Sequence, residues 1–194
     1  MADRKDNGRR RIWSSPVPPH APIGRLDLEQ NVQPFSSLGH INLKVNDLDA
    51  SIAFYGKLGF PEFLRLTEVD GQPWIVYLRI TDELYIELLP GGNGGRAGDQ
   101  QATGLNHLCL TTPDIEMTAA TLAKAGVPPT TPLDPHKRGV DRNRGFWIAD
   151  PDGNRIEIME MAPDCVQYEA LAALRAGKGP TSLVAPLRPV AATA

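Results

Sequence analysis

The chain has 194 residues, with 20 Lys plus Arg against 23 Asp plus Glu, a formal charge of −3. At this length one domain with tails is expected, and 41% apolar with 22% charged residues suffices for a substantial core. The mild negative charge argues against a basic nucleic-acid or membrane-surface footprint, no apolar run approaches the roughly 20 residues of a bilayer span, and Cys109 and Cys165 make no disulfide framework.

Residues 1–36 are expected to be a flexible tail, because the Arg9-Arg10-Arg11 run and Pro16, Pro18, Pro19, Pro22 and Pro34 leave little apolar periodicity. The opening stretch is basic but has no apolar segment of the secretory type, which predicts a cytoplasmic protein. A strand is predicted over 40–45, then a helix of about 12 residues starting at Asp47 and stopped by Gly59. Strands over 62–68, 73–80 and 84–89 complete the first half. The glycine-rich run from Pro90 to Gly98 follows a strand, but no helix follows it, so it reads as a linker rather than a phosphate-cradling loop. Beyond it come a strand over 107–112, a helix from Asp114 to Gly126, and strands over 130–133, 145–149 and 155–160. Asp164 is positioned to cap a last helix, with Val166, Ala170, Leu171 and Leu174 on one face and Gly177 as its stop.

The two halves are a repeat. A shift of 67 places His40-Ile41-Asn42-Leu43 on His107-Leu108-Cys109-Leu110, and Gly59-Phe60-Pro61 on Gly126-Val127-Pro128. After a three-residue insertion, a shift of 70 places Tyr85-Ile86-Glu87-Leu88-Leu89 on Arg155-Ile156-Glu157-Ile158-Met159. The predicted class is therefore α+β, with two tandem βαβββ modules forming one curved mixed sheet around a cavity. Modules at 37–90 and 105–162 make a domain over 37–162 with a linker at 91–104. A C-terminal helix at 163–177 and a flexible tail at 178–194 follow.

Strand alternation gives the chemistry. Ile41, Leu43 and Val45 point to one face, while His40, Asn42 and Lys44 point to the other; His107 with Cys109, Glu87 and Glu157 lie on the matching face of their strands. Two converging carboxylates without a cation raise each other's pKa and incur desolvation, and a divalent metal removes that conflict. Four ligands at His40, Glu87, His107 and Glu157 suit one divalent ion, Zn²⁺, Ni²⁺, Co²⁺, Mn²⁺ or Fe²⁺, and leave positions for water or substrate.

Gly39-His40 through Phe54-Tyr55, Leu58-Gly59-Phe60 and the run from Asp150-Pro151-Asp152-Gly153-Asn154 to Glu157 resemble the vicinal oxygen chelate superfamily. This superfamily includes glyoxalase I, methylmalonyl-CoA epimerase, extradiol dioxygenases and the fosfomycin and bleomycin resistance proteins. The resemblance to glyoxalase I implies a metal held by His40, Glu87, His107 and Glu157. It further implies a lyase or isomerase that moves a proton through an enediolate on a small α-hydroxycarbonyl or hemithioacetal. It makes Glu157 the first choice of catalytic base and Glu87 the second, and it implies a homodimer with a small-molecule substrate and no nucleic-acid or membrane partner. Epimerase relatives commonly carry Gln where this chain has Glu87, which favours the lyase side; no glutathione-binding set is placed residue by residue. Two alternatives stay open: a binding or resistance protein of the same fold without catalysis, and an Fe²⁺ dioxygenase using His40, His107 and Glu157 as a facial triad. Trp74, Trp147, Cys109 and Arg144 are expected around the substrate, with core packing for the aromatics and solvation for the arginine as the competing readings.

Overall fold

A computed structural model describes residues 37–94, 101 and 103–182. The expected tail 1–36 with its arginine run, linker residues 95–100 and 102, and residues 183–194 lie outside the described residues. In chain order the elements are β1 (His40–Lys44), α1 (Leu48–Lys57), β2 (Glu62–Thr67), β3 (Pro73–Arg79), β4 (Tyr85–Leu89), β5 (Leu108–Thr111), α2 (Ile115–Lys124), β6 (Arg144–Ala149), β7 (Arg155–Glu160) and α3 (Val166–Arg175).

The repeat is visible in the caps. The Asp47 carboxylate accepts from the Ala50 amide at 2.9 Å, and the Asp114 carboxylate accepts from the Met117 amide at 2.8 Å. Each satisfies an amide that the helix itself leaves unpaired. Both helices end on a glycine with positive φ, Gly59 at 85° and Gly126 at 79°, a conformation that a side chain would strain.

Hydrogen bonding groups the strands into two sheets, one per module, rather than a single continuous one. The first has the order β1-β4-β3-β2 and the second β5-β7-β6; β1 and β5 are each parallel to their neighbour and the other pairings are antiparallel. The strand expected over 130–133 does not form. Only Thr130 reaches β6, its amide and hydroxyl both donating to the Trp147 carbonyl, at 2.7 and 3.1 Å. Pro128, Pro129 and Pro132 surround it and supply no amide for a ladder.

One apolar core joins the two modules: Leu43, Val45, Phe54, Val76, Leu78, Ile86 and Leu88 pack in a single cluster with Ile115, Leu122, Phe146, Ile148, Ile156 and Ile158. Two polar ties also join the modules, the first inside the core and the second at the surface. The buried Tyr55 hydroxyl donates to Asp150 Oδ2 at 2.9 Å, and Asn46 Nδ2 donates to Asp152 Oδ1 at 2.6 Å. Burial, reinforced by the Asp150 charge, pushes the Tyr55 phenol well above its ordinary range, so it stays protonated as a donor.

The last helix forms where expected but is capped differently. Cys165 occupies the cap position with no side-chain hydrogen bond, and Asp164 instead accepts two bonds from Arg138. No residue of α3 is fully buried, although Val166, Ala170 and Leu174 of the expected apolar face are half-buried. The helix is also held by polar contacts to the 138–143 loop: Arg142 bonds Glu169 bidentately and Asp141 accepts from Gln167. Among the described residues, no helix is long and apolar enough to cross a membrane.

Candidate metal centre

Parallel register puts the residues of each half side by side. Asn42 and Tyr77 both lie opposite Glu87, and at the corresponding positions Cys109 and Trp147 both lie opposite Glu157. The core residues Leu43, Val76, Ile86 and Leu88 occupy the other parity, so each carboxylate stands on the sheet face turned away from the apolar core. His40 Nε2 lies 3.5 Å from Glu87 Oε2, and His107 Nε2 lies 3.4 Å from Glu157 Oε2. The His107 Nδ1–H donates to Asn106 Oδ1 at 2.9 Å. That tautomer leaves Nε2 as the lone-pair nitrogen facing the carboxylate, the orientation a metal ligand needs.

These pairs can be tested for fit to a divalent ion. Bonds of about 2.0–2.2 Å from metal to nitrogen and oxygen put neighbouring ligand atoms about 2.8–3.6 Å apart at octahedral or tetrahedral angles. Both His–Glu separations fall at the upper end of that range, and an imidazole with a carboxylate is a donor set suited to such ions. Each pair fits as half of a site. The four residues do not meet within one chain: among the described residues no group of three or more His, Cys, Asp or Glu is gathered closely enough to hold a metal. The concave cavity expected around all four ligands is replaced by an apolar one of about 350 Å³ between the modules. Its lining includes Ile41, Ile86, Leu108, Leu110 and Ile156, with His107 and Cys109 also on its wall.

The other expected site residues divide. Trp147 stands beside His107, ring centroids 4.9 Å apart and edge to face, and carries the Arg155 guanidinium 3.9 Å above its ring. Desolvation, then the charge and hydrogen bond of Glu157, pushes the Cys109 thiol up to about 11, which removes it as a thiolate nucleophile near neutrality. Trp74 precedes the β3–β4 pairing, which starts at Val76, and is half exposed, so it joins neither the Glu87 face nor the core; Tyr77 is the aromatic beside Glu87. Arg144 is committed to two carboxylates, with N–O distances of 2.7 Å to Glu116 and 2.9 Å to Glu160, so an anionic substrate would have to displace them.

Residues without an assigned role in the sequence also border the site. His40 stacks on Tyr85 at 5.4 Å, and Tyr85 sits 5.6 Å from Tyr77 and 5.8 Å from Phe63, an aromatic floor beside the first pair. Period-two alternation along β4 puts Tyr85 on the face of Glu87, whereas the place of Tyr77 opposite Glu87 and the stacking depend on strand register and are not legible in one strand alone.

Two small α/β modules with a His–Glu pair at matched strand positions define the glyoxalase-like class of fold. The chain belongs to the Glyoxalase/Bleomycin resistance protein/Dioxygenase superfamily, whose family profile matches residues 37–158. It is 31% identical over 125 residues to a "Probable lactoylglutathione lyase" of Vibrio cholerae serotype O1, covering 62% of this chain and 88% of that protein. Among solved structures, it resembles a glyoxalase family protein from Enterococcus faecalis with a TM-score of 0.55 and 23% identity, over 65% of this chain and 98% of that one. It also resembles an antibiotic binding protein from Streptomyces sp. CB03234 with a TM-score of 0.50 and 21% identity, over 68% and 100% of the two chains. Family members typically use a divalent metal, often dimerise, and include proteins that are not enzymes.

Proposed function

We propose that the protein is a metal-dependent lyase or isomerase of glyoxalase type. Its substrate would be a small α-hydroxycarbonyl, with the hemithioacetal of a 2-oxoaldehyde and a low-molecular-weight thiol as the first choice. The observation that carries this reading is the duplicated His–Glu pair, with N–O separations of 3.5 and 3.4 Å at corresponding strand positions. A binding protein needs no such duplication, and a three-ligand oxygenase leaves Glu87 without a role.

Because each chain offers two half-sites, the complete centre is assigned to a homodimer. β1 and β5 are both edge strands, each with an unpaired side that a second copy can cover. Laying β1 of one subunit beside β5 of its twofold mate joins His40 and Glu87 to His107 and Glu157 of the partner subunit, and symmetry makes two such sites.

Bound there, a divalent ion would polarise the substrate carbonyl and stabilise the negative charge that develops on its oxygen. The carboxylate of Glu157 takes the proton from the carbon next to that carbonyl and returns it to the adjacent carbon, so the hemithioacetal becomes an α-hydroxythioester with no net gain or loss of atoms. The Tyr77, Tyr85 and Phe63 rings on one side and Trp147 on the other limit water around the reacting carbons. Two free cysteines suit the reducing cytoplasm in which we place it.

The test combines metal analysis with a substrate panel: a 2-oxoaldehyde premixed with glutathione or a smaller thiol, followed by thioester absorbance. The expected outcome is about one divalent ion per chain, thioester formation, and loss of both in His107→Ala. A wild-type protein that purifies and reconstitutes without metal would overturn the assignment in favour of a binding protein.

A further inference from the structure

The two halves place their carboxylates identically but do not hold them identically. In the first half, Asn42 Nδ2 donates to Glu87 Oε2 at 2.9 Å, and Tyr77 lies directly opposite Glu87 on β3, its phenol close enough to interact with that carboxylate. In the second half, the residue at the Asn42 position is Cys109 and the residue at the Tyr77 position is Trp147. A thiol is a far weaker donor than an amide, and the Trp147 ring is engaged by His107 and Arg155. The next position along the same face differs as well. The first half has the β-branched Ile75; the second has Gly145, where a Cβ would press on the Ile158 carbonyl oxygen at 3.2 Å and touch Glu157 Oε1 at 3.6 Å. Exposure follows the same order, with the Glu87 side chain 13% and the Glu157 side chain 26% accessible.

We propose that Asn42 and Tyr77 are positioning residues that fix Glu87 as a standing metal ligand, whereas Cys109 and Trp147 leave Glu157 free to swing between the metal and the substrate carbon. The inference rests on the metal-dependent reading above and adds to it the reason why one carboxylate, and not its twin, moves. A ligand that must release the metal and take up a proton in each turnover needs weak supports. A ligand that keeps the ion in place needs outer hydrogen bonds that fix its direction.

Competition with a chelator for Zn²⁺, using the full-length chain, tests this without a substrate. Asn42→Leu and Tyr77→Phe should each weaken Zn²⁺ binding about 10-fold or more, the usual cost of losing an outer partner of a ligand. Cys109→Ala should change it less than about 3-fold, since it removes only a weak donor. Moving the clamp across, in Cys109→Asn, should hold Zn²⁺ at least as tightly as wild type. In the hemithioacetal assay that variant should lower kcat about 10-fold or more with KM nearly unchanged, because only the moving group is restrained. The metal-free melting midpoint of each variant reports folding separately, and Tyr77→Phe removes a single oxygen. Wild-type affinity in both Asn42→Leu and Tyr77→Phe, or equal losses in Asn42→Leu and Cys109→Ala, would overturn the unequal clamp while leaving the metal site intact. A wild-type chain that binds no Zn²⁺ would overturn the clamp and the metal-dependent reading together.

Discussion

Tyr55 and Asp150 show how much one polar pair can settle. The Asp150 carboxylate is buried without a cation beside it, and it is kept there by the Tyr55 hydroxyl, the Asn154 side chain and the amides of Asp152 and Asn154. The turn that carries it is thereby fastened to α1 of the other half. Tyr55→Phe is expected to destabilise the protein by about 1–2 kcal/mol, and Asp150→Ala by more, because it strands a buried phenol and two amides. Urea unfolding of the two variants measures this, and an unchanged midpoint in Tyr55→Phe would mean the bond contributes nothing. Catalysis is decided at the same scale. Glu157→Gln keeps the shape and an oxygen ligand but removes the basicity, so metal should stay largely bound while turnover falls roughly 10²-fold or more. A metal-loaded Glu157→Gln enzyme with full rate would rule that residue out as the base.

Among the elements, α3 combines a half-buried apolar face with a set of charged contacts. With no fully buried residue of its own, it depends on Arg138 to Asp164, Arg142 to Glu169 and Asp141 to Gln167. Hydrogen bonds from Arg138 and Arg142 hold the Asp164 and Glu169 carboxyls below their ordinary range. For Asp141 burial pushes upward, but hydrogen bonds from Gln167 and Asn143 outweigh it and the net direction is also downward. A carboxyl whose folded pKa is depressed stabilises the fold above its unfolded pKa of about 4, and that contribution is lost as pH falls through the folded value. Hydrogen exchange of the α3 amides should therefore accelerate at acid pH before that of α1 and α2, after correction for intrinsic rates. The exposed ion pairs should also loosen with added salt. Protection of α3 that persists at acid pH and high salt would assign its docking to apolar contact instead.

At the scale of the whole molecule the decisive question is whether two chains share each centre. In the proposed homodimer, His40→Ala and His107→Ala would each damage every site. In a mixed dimer both lesions fall in one site and the other is intact. Refolding the two variants together should restore metal binding to about a quarter of wild type, since half of the dimers are mixed and half of their sites are whole. No recovery would place each centre within a single chain. Deleting residues 1–36 is expected to leave the thermal transition and metal content unchanged, on the grounds of a Pro-rich, poorly periodic composition. A lowered transition in the shortened chain would give that segment a structural role.

The amino-acid sequence by itself determined the duplication, both helix starts and stops, and the face on which His40, Glu87, His107 and Glu157 lie. Each of these follows from local rules: a capping aspartate, a glycine that accepts positive φ, and the period of two along a strand. What it could not determine was anything set by partners distant in the chain. The strand expected at 130–133 was lost because three prolines cannot feed a ladder. Arg144 was expected near substrate because its carboxylate partners, Glu116 and Glu160, lie 28 and 16 residues away. Asn42 was legible as a ligand-face residue, yet its bond to Glu87 exists only through the β1–β4 register. Tertiary structure alone decided that the two His–Glu pairs stay apart within one chain, because the modules meet through their apolar faces and leave both polar faces turned outward.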